Sequence, residues 1–216
     1  RYIYQGLGAT EASGGITMTP AEGKIPDGTV GKPLPVWKVK LIDPDSMETV
    51  GPPGQGELLI SSDCMVRSYW NKPEETAERF LTLDGRLWYR TGDILRIDEE
   101  GWAYFLDRSG DIIKHKGYRV VPSKLERVLT EHPAVSAACA IGLPDPDVGE
   151  KIKALVVLNR EGPGVQPEEL LAWCKERLAS YEVPHWIEFR DTLPTSPSGK
   201  ILRRKVRTEE RQKLGL

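Results

Sequence analysis

The sequence predicts an α+β fold made of two units that follow one another along the chain. Before residue 107, short alternating apolar runs are separated by glycine and proline turns, a pattern typical of antiparallel sheets. After residue 111, apolar strands alternate with longer amphipathic segments, which predicts a small sheet with helices. We therefore expect one domain at residues 1–107 and a second at residues 108–216.

A polar segment at residues 107–111 separates the two patterns and contains Gly110. Glycine has no Cβ and can absorb a large change in backbone angles, so this segment is predicted to be a hinge. After it, two short apolar runs flank Gly117, which predicts a β-hairpin with a tight end at that glycine. Taken alone, both glycines are also well explained by ordinary turns.

Composition limits the classes of function that the chain can have. Its 216 residues are 39% hydrophobic, which is enough to bury real cores. With 30 basic and 32 acidic residues, the net charge of -2 gives no general attraction to nucleic acid or to a membrane surface. Three widely spaced cysteines argue against a disulfide framework or a zinc site and favour the cytoplasm. No apolar run approaches the ~18 residues of a membrane span.

The elements of the first unit are predicted from alternation and from helix-start signals. Residues 36–42 alternate as a half-buried strand, and residues 57–61 form another. A proline followed by acidic residues predicts a helix at residues 73–80. Trp70 and Phe80 are expected to be anchors of the core, because large aromatic side chains usually bury.

Two places in this unit have residues suited to chemistry. Residues 6–11 form a glycine-rich turn that brings Thr10 and Glu11 to one rim of a sheet, where phosphate and a hard cation would fit. Asp93 ends a strand in a turn, where its carboxylate could accept hydrogen bonds from sugar hydroxyls. A plain loop explains the first, and the frequent use of aspartate in turns explains the second.

In the second unit, a helix is predicted from residue 122 to residue 132 and another at residues 167–178, with strands at 135–142, 151–158 and 186–189. The helices are expected on one face of the sheet. The three histidines have no carboxylate or nucleophile at a telling position, so they are predicted to have no catalytic role.

A Pro/Ser/Gly loop at residues 193–199 precedes Lys200 and the start of a basic helix. Such a loop could bring one mobile cation to developing negative charge. It is not a phosphate-binding P-loop, since Ile201 stands where that motif has serine or threonine. The alternative is a solvated basic tail, which suits Arg203, Arg204, Lys205 and Arg207 better than it suits Lys200.

Taken together, six stretches in this order resemble the acyl- and aryl-CoA synthetases of the acyl-adenylate-forming superfamily. They are QGLGATE from Gln5, GELLIS from Gly56, YWNKPEETAERF from Tyr69, YRTGD from Tyr89, DRSGDIIKHKGYRVVP from Asp107 and LPTSPSGKILRR from Leu193. The resemblance covers essentially the whole chain. It implies that residues 1–107 end the large domain, including a β-barrel-like portion, and that 108–216 form the mobile small domain.

The resemblance implies a ligase that uses ATP, Mg²⁺ and coenzyme A to activate a carboxylic acid, a fatty acid first, as an acyl-adenylate and then as a thioester. In that scheme the hinge at Gly110 turns the small domain between the two reactions. The implied residues fall into three groups: Gly8, Thr10, Asp93, Arg108 and Lys200 at the nucleotide, Glu11 at the metal, and Gly117, Tyr118 and Arg119 at coenzyme A. Thr10, Glu11 and Lys200 are the implied catalytic residues.

The chain departs from the pattern of these synthetases at several positions. Leu7 replaces an aromatic residue that stacks on adenine, Asp107 replaces a glycine, Gly110 replaces an aspartate or lysine, and Lys124 replaces a glutamate. The phosphate loop and most of the acyl pocket lie upstream of the Thr-Glu motif in these enzymes, so we expect a fragment that is inactive alone.

Two other functions stay open from the sequence. The chain could be a nucleotide-binding or interaction module without activity, or it could serve the pantetheine of a carrier protein instead of coenzyme A. Unpaired sheet edges in residues 1–107 would favour pairing with a second copy, so a homodimer is also left open.

Overall fold

The computed structural model describes residues 3–160 and 162–215. Its contacts divide the chain into two compact units, one that ends at Ser109 and one that begins at Gly110. The described residues contain three sheets and four helices, which confirms the predicted α+β class. None of these helices combines the length and the apolar character needed to cross a membrane.

The first sheet contains three antiparallel strands, β1 (Gly6–Ala9), β2 (Gly14–Met18) and β3 (Lys32–Pro33). The glycine-rich turn predicted at residues 6–11 is therefore wrong in its first four residues, which form a strand. The glycines are needed there because a Cβ at Gly6 or Gly8 would lie 2.6 or 2.7 Å from a carbonyl oxygen of β2. The turn itself is tight, and Ser13 N–H donates to Thr10 C=O across it.

The second sheet has six strands in the described residues, and all of its pairs are antiparallel. Their order is β5-β4-β6-β8-β7, with β9 also paired to β8, so the sheet is open and does not close into a barrel. Helix α1 (Pro73–Arg79) begins at the proline, as predicted, and leads directly into the strand that starts at Phe80. The strands are β4 (Lys38–Ile42), β5 (Thr49–Val50), β6 (Gly54–Ser61), β7 (Phe80–Leu83), β8 (Arg86–Ile97) and β9 (Ala103–Arg108).

Strand β8 does not turn at Asp93, and this prediction from the sequence is wrong. The strand continues for 12 residues and contains a bulge instead. Leu59 pairs with Arg90 and Glu57 pairs with Ile94, so residues 91–93 lie opposite one residue of β6. Gly92 has φ of +74°, a left-handed conformation that glycine adopts without strain. The bulge bends the strand locally and re-aims the side chain of Asp93.

The two aromatic residues that were predicted to anchor the core of this unit differ in their exposure to solvent. Phe80 is 7% exposed and lies with its ring centroid 5.6 Å from that of Tyr69 and 5.1 Å from that of Tyr89. Trp70 is 89% exposed, so its predicted burial is wrong. It lies in a loop beside Asn71, whose φ of +52° turns the chain before α1.

The second unit has one five-stranded sheet and three helices among the described residues. Its central strand is β13, which pairs antiparallel with β10 and with the long strand β12 and parallel with β14. The strands are β10 (Ile113–His115), β11 (Tyr118–Val120), β12 (Val135–Asp145), β13 (Gly149–Leu158) and β14 (Trp186–Phe189). The helices are α2 (Pro122–Thr130), α3 (Pro167–Arg177) and α4 (Arg203–Lys213).

Helices cover both faces of this sheet, so the expectation of one covered face is wrong. Ala138 and Ala140 of β12 belong to the same core as Leu129 of α2. The residues that alternate with them along the strand, such as Cys139, belong to a second core that contains Val206 of α4. Successive side chains of a strand point to opposite faces, and β12 is apolar at both sets of positions, so both faces need a cover.

The different exposures of the two aromatic residues predict different costs of truncation. Phe80→Ala should lower the free energy of unfolding by about 3–5 kcal/mol, because it removes a fully packed ring and leaves a cavity. Trp70→Ala should change it by no more than about 0.5 kcal/mol, as expected for an exposed site. Urea unfolding of both variants tests this, and equal losses would contradict the assigned core.

Candidate functional site

Glu11 lies in the turn between β1 and β2, where a tyrosine from a distant loop holds its carboxylate. Tyr69 Oη donates to Glu11 Oε1 at 2.6 Å, although the two residues are 58 positions apart. Partial burial raises the pKa of Glu11, but hydrogen bonds and the charge of Arg79 outweigh this effect, and the pKa is lowered overall. Burial and the neighbouring carboxylate raise the pKa of Tyr69, which therefore stays a neutral donor. Thr10 and Gly8 are exposed at the same rim.

An ionised carboxylate at this place fits one kind of metal site. The described residues contain no group of three or more histidine, cysteine, aspartate or glutamate side chains that could hold a metal ion. Mg²⁺ is commonly bound by one or two carboxylates together with water and the phosphates of a substrate. Glu11 fits that role, whereas the surrounding residues would not form a protein-only cage.

Asp93 and Arg108 form the second candidate position, and the sheet itself brings them together. They are partners in the register of β8 and β9, and Arg108 Nε lies 2.8 Å from Asp93 Oδ1. The contact is an ion pair and lacks the alignment of a hydrogen bond, since Oδ1 is buried and accepts none. Arg108 remains 59% exposed on its outer side.

The pKa of Asp93 is raised to about 6, chiefly because burial disfavours the charged carboxylate. The positive charge of Arg108 offsets part of this effect, and the negative charge of Glu57 adds to it. The group is therefore ionised at neutral pH but is held there against a desolvation penalty. A buried carboxylate whose lone pairs are incompletely used is well suited to accept hydrogen bonds from a polar ligand.

Three residues of this region were missed by the sequence analysis. Arg79 of α1 lies beside the bulge, since a Cβ at Gly92 would be 2.9 Å from its Nη1, and its charge lowers the pKa of both Glu11 and Asp93. Glu57 is buried and accepts two hydrogen bonds from Arg90, at 2.6 and 3.2 Å. Only the charged glutamate inside the apolar run GELLIS gave a local signal.

Tyr69 is the third residue that was missed, and no local signal could have found it. Tyr69 lies in the loop between β6 and α1. Its partner Glu11 lies in the turn between β1 and β2, which belong to another sheet. The pairing depends on how α1 and its preceding loop fold back over the turn between β1 and β2.

In the second unit, Lys200 follows a tight and fully bonded turn. Gly199 N–H donates to Ser196 C=O at 2.9 Å, and Gly199 has φ of +82°. Lys200 N–H donates to Ser196 Oγ at 3.1 Å, and Lys200 C=O accepts from Ser196 N–H at 2.8 Å. The side chain of Lys200 is exposed. The backbone is thus fixed while the ammonium group is free to reach a ligand.

The predicted hairpin at Gly117 is present, with Lys116 and Gly117 as its two turn residues at φ of +51° and +79°. Both angles are positive, as in the two-residue turn that best matches the twist of a hairpin. A Cβ at Gly117 would meet nothing within 4 Å, so the backbone there is open to approach. Tyr118 and Arg119 follow and are both exposed, and the centroid of the Tyr118 ring lies 4.2 Å from that of Tyr181, on which it stacks.

His115 is the last residue of the first strand of this hairpin, and it is buried among contacts that hold the fold. It is 2% exposed, its Nδ1 lies 2.7 Å from the carbonyl oxygen of Glu150, and its ring contacts that of His185. Burial, together with the nearby His115, lowers the pKa of His185.

Gly110 lies in a single 3₁₀ turn, Ser109–Asp111. A Cβ at this position would meet nothing within 4 Å, and its φ is outside the left-handed region. This conformation therefore does not itself require glycine, and the hinge stays a prediction.

The same chain matches two family models. Residues 1–70 match the model of the AMP-binding enzyme, and residues 124–200 match that of the AMP-binding enzyme C-terminal domain. The two matches fall on either side of the boundary between the compact units.

Similar proteins include two curated relatives and a solved structure. A long-chain-fatty-acid–CoA ligase of Escherichia coli O6:H1 is 38% identical over 215 residues, which are 99% of this chain and 37% of the relative. A feruloyl-CoA synthase of an Amycolatopsis species is 40% identical over 94% of this chain and 40% of the relative. The anthranilate CoA ligase AuaEII, solved with anthranoyl-AMP, superposes with a TM-score of 0.83 at 32% identity, over 99% of this chain and 40% of that one. The chain thus spans less than half the length of each.

The raised pKa of Asp93 predicts a pH-dependent effect of Asp93→Asn. Between about pH 4 and pH 6, the folded protein holds a proton on Asp93 that the unfolded chain has lost, so the stability of the wild type falls as the pH rises. Asparagine cannot ionise, and the variant should therefore gain on the order of 1–3 kcal/mol relative to the wild type between pH 4 and pH 7. Urea unfolding at both pH values measures the difference. A constant difference, or a relative loss by the variant, would contradict the raised pKa.

Proposed function

This chain belongs to the AMP-binding enzyme family, and we propose that it serves as the C-terminal part of an AMP-forming acid–thiol ligase. The observation that carries the proposal is the similarity to CoA ligases across 94–99% of the chain, through both compact units. The domain assignment follows the same argument: the first unit would end the large AMP-binding domain, and the second would be the mobile C-terminal domain.

The proposed reaction has two steps. A carboxylate oxygen of the acid attacks the α-phosphorus of ATP, and pyrophosphate leaves with the electrons of the broken P–O bond. The thiol of coenzyme A then attacks the carbonyl carbon of the acyl-adenylate, AMP leaves, and the thiol proton passes to solvent. Acid, ATP and coenzyme A are the proposed substrates.

In the first unit, the proposed nucleotide contacts follow from the exposed rim and from the ion pair of β8 and β9. Gly8 and Thr10 would contact phosphate from the turn between β1 and β2. Glu11, ionised and oriented by Tyr69, would hold Mg²⁺, which would neutralise phosphate charge when bound. Asp93 would accept hydrogen bonds from the ribose hydroxyls, with Arg108 beside it.

In the second unit, Lys200 would stabilise charge that grows during attack on the α-phosphate. Its exposed ammonium group on a fixed turn suits this task, because electrostatic stabilisation works best when the charge is placed before reaction begins. The open backbone at Gly117, with Tyr118 and Arg119, would contact coenzyme A in the second step. Rotation about Gly110 between the two steps would withdraw Lys200 and bring the Gly117 hairpin to coenzyme A.

The acid that we propose first is a fatty acid, because relatives over nearly the whole chain are named long-chain-fatty-acid–CoA ligases. An aromatic acid is the second candidate, since the feruloyl-CoA synthase is 40% identical over 94% of the chain. The two candidates differ in the acyl pocket, which the resemblance assigns mostly to residues upstream of the Thr-Glu motif at Thr10 and Glu11.

The proposal is tested by incubating the intact protein with ATP, Mg²⁺, coenzyme A and a panel of fatty and aromatic acids. We expect acid-dependent formation of AMP and an acyl-CoA. Residues 1–216 alone should form none. Turnover with a carrier protein in place of coenzyme A, or nucleotide binding without turnover for any acid, would contradict the proposal.

The role proposed for Lys200 predicts a separation of the two half-reactions. Lys200→Ala in the intact protein should reduce acyl-adenylate formation by at least ~10²-fold, the usual effect of removing one preorganised charge. Thioester formation from supplied acyl-adenylate should change far less. Pyrophosphate release and acyl-CoA formation measure the two steps, and Lys175→Ala, at an exposed lysine of α3, is the control. Equal loss in both steps would refute the assigned role.

Gly117 should show the opposite separation. Gly117→Val would place a branched side chain at the open tip and strain a positive φ, so it should slow thioester formation while adenylation is retained. Gly101→Val is matched, because Gly101 has φ of +81° and equally open surroundings in another hairpin turn. If Gly101→Val slows thioester formation as much as Gly117→Val does, strain alone explains the effect and the coenzyme A contact is wrong.

A further inference from the structure

We propose that Arg203 is a positioning residue that fixes the Lys200 turn to the segment that follows the hinge. Arg203 is the first residue of α4 and lies three positions after Lys200. The inference rests on the function proposed for Lys200, and it adds a residue whose part in that function is to hold the turn in place.

The guanidinium of Arg203 joins two acidic residues from different elements. Its Nη2 and Nε donate to the carboxylate of Glu126 of α2, at 2.8 and 3.3 Å. Its Nη1 donates to Asp111 Oδ2 at 2.8 Å. The Arg203 side chain is only 15% exposed, and those of Asp111 and Glu126 are 22% and 18% exposed. The sequence-based alternative of a solvated basic tail is therefore wrong for Arg203.

The backbone between Arg203 and Lys200 leaves little freedom for the turn to move by itself. Thr195 and Ile201 form a β-bridge across the base of the turn. Leu202 N–H donates to Pro194 C=O at 2.8 Å, which ties the residue before α4 to the residue that enters the turn. Ile201 also packs against the apolar core beneath α4. Any displacement of the first turn of α4 is thus transmitted to Lys200.

A second arginine, one turn further along α4, ties the helix to the residues at the predicted hinge. Arg207 Nη1 donates to Gly110 C=O at 2.9 Å, and its Nη2 lies 3.2 Å from Asp111 Oδ1. Asp111 therefore accepts from both arginines, one on each carboxylate oxygen. The residues directly after the predicted pivot and the turn that carries Lys200 are held as one body within the second unit.

The geometry requires arginine at position 203. The planar guanidinium can donate to two carboxylates at once, whereas a lysine ammonium group is a point charge on a flexible stem. Without the Arg203 guanidinium, the partly buried carboxylates of Asp111 and Glu126 would lose the cation that joins them, and Arg207 would offset their repulsion only at Asp111, so α4 would be displaced. We expect this displacement to misplace Lys200.

The test measures both half-reactions of the intact protein for Arg203→Met, Arg203→Lys and the control Arg211→Met, at an exposed position of α4. For Arg203→Met, adenylation should fall on the order of 10²-fold, as for an ångström-scale displacement of a catalytic group. Thioester formation from supplied acyl-adenylate should stay within about twofold of the wild type, because strand pairing within the Gly117 hairpin and with β13 holds that segment without Arg203. Arg203→Lys should lie between these values, and Arg211→Met should match the wild type in both steps.

A double-variant comparison separates positioning from general destabilisation. Asp111→Asn combined with Arg203→Met should slow adenylation by less than the product of the two single effects, because the two changes share the link between Arg203 and Asp111, although Asp111 also accepts from Arg207. Equal loss in both half-reactions, full activity of Arg203→Met, or additive effects of the two changes would overturn the inference. If Arg203→Met does not fold, the same measurement is made on Arg203→Lys and on Asp111→Asn. Each should slow adenylation more than thioester formation, and equal slowing of both would overturn the inference. A wild type that forms no acyl-adenylate contradicts the proposed function, whereas loss of adenylation in Lys200→Ala alone contradicts only the role of Arg203.

Discussion

The bulge in β8 is the constraint on which the candidate nucleotide site depends. It places three residues, 91–93, opposite Leu58, and Thr91 Oγ1 fixes it by donating to Leu58 C=O at 2.9 Å. A regular strand would alternate through this region and would give Asp93 a different direction. The bulge instead leaves a buried carboxylate beside Arg108, with its pKa raised to about 6. Arg79 then lies against Gly92 and brings one positive charge near both Asp93 and Glu11.

The second unit holds its two proposed contact segments, the Lys200 turn and the Gly117 hairpin, on a sheet that is covered on both faces. The Gly117 hairpin forms one edge of that sheet, and α2 and α3 pack on one face. Helix α4 covers the other face, where its buried Glu210 accepts hydrogen bonds from Lys153 and Arg190. Two proposed contact segments within one compact unit would suit a domain that presents them in turn. A chain with only one covered face would have no second surface to anchor the Lys200 turn.

Local signals in the sequence were enough to predict the elements whose form is set by their own residues. The Gly117 hairpin, the helix starts at prolines 73, 122 and 167 and the strand at β14 all follow from such signals. The Asp93 bulge could not be predicted, because it depends on the register between β6 and β8, which sequence spacing does not reveal. The predicted burial of Trp70 was wrong for a related reason: the burial of a loop residue depends on which distant residues the loop packs against. The contacts of Arg203 with Asp111 and Glu126 join positions 77 or more apart, so residue type alone suggested a solvated tail.

The most direct test of the acyl-adenylate follows one oxygen atom through the proposed reaction. The intact protein would be supplied with a carboxylic acid labelled with oxygen-18 in its carboxylate, together with ATP, Mg²⁺ and coenzyme A, and the products analysed by mass spectrometry. If the carboxylate attacks the α-phosphorus and the thiol then attacks the carbonyl carbon, the released AMP carries one labelled oxygen. Label in inorganic phosphate, or AMP without label while acyl-CoA forms, would contradict an acyl-adenylate and with it the role proposed for Lys200 at the α-phosphate.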